Sequence, residues 1–249
     1  MNPGENLTQL VQDSLKKERL TLHQGDILAV VSKIVSTCEN RVVKLADVRV
    51  TPRARRLSRR WRLDERLATL VLKEADEVLG GVNGFLLTVK DGFLTPNAGV
   101  DLKNAPPGTA ALWPIDPDRS ASNLRRSLEG KFRTKIGVEI VDSHVTALRL
   151  GTVGLAIGLS GFRPILDHRG ISDLFGRAVR VTQTNVADDV AAAAHVIMGE
   201  SSERVGAVLV RGMVIGMHAT DAGRLAKLNR ERCLIGNSLI RRLTPLRIS

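Results

Sequence analysis

The chain has 249 residues, of which 43% are hydrophobic and 25% charged, with a formal net charge of +11. That length can bury a proper core, as one large domain or two intertwined smaller ones, and its longest apolar runs, such as Gly206-Ala207-Val208-Leu209-Val210, fall far short of a membrane span. Aromatic residues make up 3% with no tyrosine, which leaves few platforms for stacking nucleobases.

Two cysteines, Cys38 and Cys233, form neither a disulfide pattern nor a ligand cluster, and residues 1–12 hold no apolar export core. The expectation is a reduced, cytoplasmic protein. Arginines cluster at Arg53, Arg55, Arg56, Arg59, Arg60 and Arg62, and again at Arg230, Arg232, Arg241 and Arg242. Such clusters suit a solvated face or focus the field on a small anionic substrate. Without a helix-turn-helix, zinc-finger or RNA-sheet signature, nucleic acid is not expected as a partner.

In chain order, Leu7, Leu10, Val11 and Leu15 recur at helical spacing. Gly25-Asp26 is a turn before the apolar strand 27–31, and Ser32-Lys33 stand where that strand ends. Segment 45–62 reads as a helix interrupted by Pro52 and followed by a basic linker. A better helix is expected over 64–79, with Asp64 and Glu65 at its N-terminus. From Gly80 the texture changes to glycine-punctuated strands at 85–89 and 93–95 joined through Lys90-Asp91-Gly92, then 110–113. Asp118 or Ser120 is expected to cap a helix over 121–132.

Strand 138–141 delivers Asp142-Ser143, another apolar strand covers 153–159, and 178–182 is strand-like. A helix opened by Asn185 or Asp188 runs to Met198, and Gly199 closes it. The tail, 221–248, reads as one or two amphipathic helices. The pattern predicts an α+β fold of mixed or antiparallel sheets with helices, in two intertwined lobes. Residues 1–79 and 178–249 would form a discontinuous first lobe, and 80–177 an inserted one.

The chemistry is carried by acids on short turns: Asp101 in Asn97-Ala98-Gly99-Val100-Asp101, Asp116 and Asp118 around Pro117, Asp142-Ser143, and Asp188-Asp189. A divalent cation needs oxygen ligands from several chain segments. Asp101 and Asp142 are the best pair, since each follows an apolar segment that can hold it rigidly; each also reads as a turn-stabilising carboxylate. Ser143 adds a hydroxyl and Asn104 an amide, and Lys33 is either a phosphate contact or a surface lysine. The five histidines are scattered with no zinc spacing.

These residues carry a resemblance to the coenzyme F420-0:L-glutamate ligases, the gamma-glutamyl ligase family. The matching pieces are Val31-Ser32-Lys33-Ile34-Val35-Ser36, Asn97-Ala98-Gly99-Val100-Asp101 with Asn104, and Asp116-Pro117-Asp118-Arg119-Ser120-Ala121. Further on come Gly154-Leu155-Ala156-Ile157-Gly158, Asp173-Leu174-Phe175-Gly176-Arg177, and the stretch from Val186 through Met198-Gly199-Glu200. The resemblance implies an α+β homodimer that uses GTP and Mg²⁺ or Mn²⁺ to join L-glutamate to the lactyl carboxylate of F420-0. It implies Asp101, Asp142 and Ser143 as metal ligands, and Lys33, Asn104, Gln183 and Asp189 near the nucleotide.

Where the family continues after its Asp-Ser/Thr pair with Phe-Gly-Arg-Pro-Trp-Arg and Gly-Gln, this chain reads His144-Val145-Thr146-Ala147-Leu148-Arg149-Leu150-Gly151-Thr152. Arg149 is the arginine kept there, and it joins Asp101 and Asp142 as a candidate catalytic residue. At Gln183 and Asp189 the family commonly has glutamates. A changed acceptor, or a non-catalytic phosphate-ligand-binding role on the same fold, is the alternative that these departures leave.

Overall fold

The computed structural model describes residues 2–213, 216–217 and 226–238. Helix α1 spans Leu7–Lys17, and the Asn6 side chain accepts from Gln9 N to close its first turn. Strand β1, Ile27–Val31, leads straight into helix α2, Ser32–Cys38, and strand β2 follows at Val42–Lys44. Helix α3 is Pro52–Trp61, so Pro52 begins the basic helix rather than interrupting it: the proline has no N–H to lose at the first helical position, and Thr51 caps it.

Helix α4 spans Glu65–Glu74 with Asp64 as its cap, accepting from Arg66 N and Leu67 N. The helix expected over 64–79 therefore ends early. Residues Glu77–Val82 form strand β3 instead, paired with β4, Phe85–Lys90, which also pairs with β5, Phe93–Pro96. Pairing with the next strand, across the turn at Asn83-Gly84, overrides the helical spacing there.

Strand β6 is Thr109–Ala111, and helix α5 is Pro117–Phe132. Its cap is Asp116, which accepts from Arg119 N, not Asp118 or Ser120. Strands β7, Gly137–Val145, and β8, Thr152–Ser160, form a long hairpin. Strands β9, Ile165–Asp167, and β10, Gln183–Asn185, pair antiparallel, so the expected strand at 178–182 lies slightly later in the chain. Helix α6, Val186–Met198, strand β11, Ala207–Val210, and the short helix α7, Leu234–Ser238, complete the described elements. The rest of the expected tail helices, 239–248 and 221–225, lies outside the described residues. No helix among the described residues is long and apolar enough to cross a membrane.

The central sheet has the order β11-β1-β7-β8, with β1 parallel to β7 and the other pairs antiparallel. Alternation along β1 sends Leu28 and Val30 to one face and Ile27 and Ala29 to the other. The first face packs on Leu124 and Leu128 of α5 and Val11 and Leu15 of α1; the second packs on Val190, Ala191 and Ala194 of α6. A register shift between Ile140 and Val141 leaves Ile157 as the extra residue of β8, re-aiming the strand.

A separate core gathers Leu57 of α3, Leu67, Leu70 and Val71 of α4, Leu86 of β4 and Val100, Ala110 and Leu112. Within 80–177, β4 and β6 contribute to this second core, while α5, β7, β8 and Phe93 of β5 pack with the central sheet.

Candidate active site

The parallel pairing of β1 with β7 sets Val31 beside Val141, so the residues just beyond, Ser32 and Asp142, emerge together at one end of the sheet. Ser32 Oγ donates to Asp142 Oδ1 at 2.6 Å, and Trp113 Nε1 donates to Asp142 Oδ2 at 2.6 Å. Both carboxylate oxygens thus have a donor. Burial still pushes the Asp142 carboxyl above the usual aspartate range. The Ser32 and Trp113 hydrogen bonds and the Lys33 ammonium pull it down, while the neighbouring Asp101 carboxylate pushes it further up. Asp101 and Asp142 are therefore close enough to feel each other, although 41 positions separate them in the sequence.

Asp101 is held by a two-bond bridge to Ala111, with N–H···O distances of 2.9 and 2.8 Å. The turn before it is braced from inside: Leu86 N donates to Asn97 Oδ1 at 2.8 Å, and Ala98 N donates to Thr88 Oγ1 at 2.9 Å. Gly99 sits at φ +70°, and a side chain there would overlap the Trp113 indole. The missing Cβ lets the indole lie against the turn and reach Asp142.

Lys33, in the first turn of α2, crosses to the other acid. Its Nζ donates to Asp101 Oδ2 at 2.7 Å and to the Lys103 carbonyl at 2.7 Å, and Lys103 N donates to Asp101 Oδ1 at 2.7 Å. An ammonium, a carboxylate and a half-buried acid thus meet at one junction. The arrangement can bind an anion through Lys33 and a cation through the carboxylates.

The other sequence-derived candidates are placed less centrally. Ser143 follows Asp142 on β7, half-buried, and pairs with Gly154; alternation turns it to the opposite face of the sheet. Asn104, at φ +56°, donates from Nδ2 to Ser201 O at 3.0 Å. Arg149 is exposed at the tip of the β7–β8 hairpin, between the exposed Leu148 and Leu150. Gln183 is exposed in β10 opposite Asp167, and Asp189 is exposed on α6.

Asp188, beside Asp189, is turned inward: it accepts from Ala156 N at 3.2 Å, and burial raises its carboxyl. Three participants escaped the sequence reading. Trp113, one of only two tryptophans, and Ser32 were legible only as members of motifs. Glu200, at the end of the α6 motif, reaches Lys103.

Among the described residues no group of three or more His, Cys, Asp or Glu side chains is gathered to hold a metal ion. The Asp101 and Asp142 carboxylates nevertheless form a hard-oxygen pair without Ser143, and a cation already sits on Asp101 in the form of the Lys33 ammonium. Mg²⁺ completes its shell with water and substrate phosphates, so one or two protein carboxylates are enough. The donor set fits such an ion.

The fold is α+β, with an acid–lysine junction as its candidate site, and comparisons with known sequences give the family. Residues 1–212 match the family model described as F420-0:Gamma-glutamyl ligase. A coenzyme F420:L-glutamate ligase of Methanopyrus kandleri is 36% identical over 91% of this chain and 88% of its own length. Proteins of the same name from Methanothermobacter thermautotrophicus and Archaeoglobus fulgidus are 34% and 36% identical, over 88% and 84% of this chain and 88% and 82% of their own lengths. The chain belongs to the F420-0:gamma-glutamyl ligase family.

Proposed function

We propose that this chain joins L-glutamate to the lactyl carboxylate of F420-0 as an amide, consuming GTP with the help of Mg²⁺ or Mn²⁺. The observation that carries the reading is the meeting of Asp101, Asp142 and Lys33 at one junction. The family membership of the chain supports the substrate class.

In this reading Lys33 binds the nucleotide phosphates as a point charge, with Asn104, Gln183 and Asp189 contributing from the surrounding loops. Arg149, at the hairpin tip, is assigned to the anionic acceptor. Asp101 and Asp142 would hold a divalent cation, which would supply the charge neutralisation that phosphoryl transfer needs; Ser143, on the opposite face of the sheet, is not part of the ligand set. The acceptor carboxylate oxygen takes the γ-phosphoryl group and GDP leaves. The glutamate nitrogen then attacks the acyl carbon, phosphate departs with the C–O bonding pair, and the amine proton passes to solvent. Ser32 and Trp113 hold Asp142 in place throughout, which is preorganisation rather than chemistry. A cytoplasmic homodimer is part of the same proposal.

A second reading, a related ligase with a different acceptor, is favoured by one observation. The hairpin tip carries exposed leucines at 148 and 150 around Arg149, an apolar surface unlike the family's Arg/Trp-rich segment.

Incubation with GTP, Mn²⁺, glutamate and F420-0, followed by mass analysis, is expected to show one added glutamyl residue. Folded protein that adds none removes the F420-0 assignment, and nucleotide affinity without turnover would mark a binding protein. Asp142→Ala is expected to abolish turnover while the protein keeps its circular dichroism spectrum.

A further inference from the structure

The loop that carries Asp101, Lys103 and Asn104 is bridged to Ala111 at Asp101. Besides the Lys33 contacts at Asp101 and Lys103, it is tied to the turn after α6. Lys103 Nζ meets Glu200 Oε2 at 2.5 Å, and Asn104 Nδ2 donates to Ser201 O at 3.0 Å. Glu200 is itself anchored on two elements of the central sandwich: its Oε1 accepts from Thr152 Oγ1, at the start of β8, at 3.0 Å and contacts His195 Nε2, on α6, at 2.7 Å. On the loop side, the Lys103 carbonyl accepts from Lys33 Nζ. A continuous chain of polar contacts thus runs from α6 and β8 through Glu200 and Lys103 to Lys33 and Asp101.

Resting on the ligase reading above, we propose that Glu200 is a positioning residue of the site, clamping Lys103 so that the 101–104 loop holds Asp101 and Lys33 in the arrangement that receives the nucleotide. Three contacts converge on Glu200, and they hold its carboxylate ionised: burial pushes its carboxyl up, but hydrogen bonds from Lys103, His195 and Thr152 bring it down to about 2. Lys103 is half exposed, and a surface pair of this kind adds little to global stability. The contact therefore orders a loop rather than holding the fold. Glu200 reaches the reacting groups only through Lys103, so its removal acts on nucleotide capture.

The test uses the full chain with Glu200→Gln, Lys103→Met and the double variant. Glu200→Gln is expected to raise KM for GTP roughly tenfold while kcat stays within about twofold, with the melting temperature nearly unchanged. The double variant is expected to be no worse than either single one, because the two side chains act as one contact. An unchanged KM, a loss confined to kcat, or additive effects in the double variant would overturn the clamp.

Amide hydrogen exchange over 101–104 in the nucleotide-free protein separates this idea from the ligase reading. Faster exchange in Glu200→Gln supports the clamp whatever reaction is catalysed, and unchanged exchange defeats it. A wild-type protein that consumes no GTP removes the ligase reading, and with it the assignment of Glu200 to nucleotide capture, even when the exchange result shows that the loop is clamped.

Discussion

Trp113 donates its indole N–H to Asp142 Oδ2 at 2.6 Å while its ring occupies the space that Gly99 leaves open. One aromatic side chain thereby joins the turn that aims Asp101 to the strand that carries Asp142. Phe93 packs edge-on against it, with ring centroids 5.7 Å apart. Trp113→Phe keeps an aromatic ring and removes the donor. With one of its two donors gone, the Asp142 carboxyl is expected to rise further, moving the acid limb of the pH–rate profile to higher pH. A hydrogen bond to a charged group is worth about 1.5–3 kcal/mol, so turnover at neutral pH is expected to fall roughly 10- to 100-fold. An acid limb that stays put shows that this bond does not set the ionisation.

Glu139 lies in β7 with its side chain fully buried, and neither carboxylate oxygen has a hydrogen-bond partner among the described residues. Burial, and after it the Asp188 charge, push its carboxyl well above the usual range. The folded state therefore holds this proton to higher pH than the unfolded chain does. Its contribution grows less favourable as pH rises above the ordinary glutamate value of 4.5. Glu139→Leu is expected to stabilise the protein by about 1–3 kcal/mol at pH 8. The gain in melting temperature should be larger at pH 8 than at pH 4, and equal gains at both would refute the ionisation argument.

Asp26 is buried at the start of β1, and Arg211, just past β11, forks onto it with two contacts of 2.8 Å. Burial alone would raise the Asp26 carboxyl; the Arg211 hydrogen bonds and the His23 backbone N–H outweigh it and leave it below its ordinary value of 3.8. This stabilisation is present above the unfolded value and is lost as pH falls through the folded one. The arginine is partly exposed, so the pair is discounted for solvent screening. Arg211→Ala is expected to destabilise the fold, chiefly by leaving a buried carboxylate underpaired. Acid unfolding followed by circular dichroism should then start at higher pH; an unmoved acid midpoint contradicts this.

Helix α6 approaches β8 where Gly154 has no side chain, because a Cβ there would overlap the Ala191 carbonyl and press on His195. Gly154→Ala must push the helix outward, at a cost of about 1–3 kcal/mol. The same displacement would draw Glu200 away from Thr152. A lowered melting temperature together with a raised KM for GTP is expected, and a variant as stable as wild type would show that the helix can shift freely.

Most of the local structure was readable from neighbours in the chain. Apolar spacing and capping residues located α1, β1 and α6, and Asp64 was recognised as an N-terminal signal, because these effects act over three or four residues. The acids of the site could be singled out for a similar reason, since each follows an apolar segment that fixes its backbone.

The sequence by itself determined most of the helices and the main apolar strands, which family the motifs resemble, and which carboxylates are candidates for phosphate and metal chemistry. Only the tertiary structure decided that 77–82 pairs as a strand, that β1 lies parallel to β7, and that Trp113, Lys103 and Glu200 serve the same junction. Lys103 and Glu200 are 97 positions apart, and Ser32 and Asp142 are 110 apart. No local propensity records a meeting at that distance, because it follows from strand register and from how closely a helix can approach a glycine.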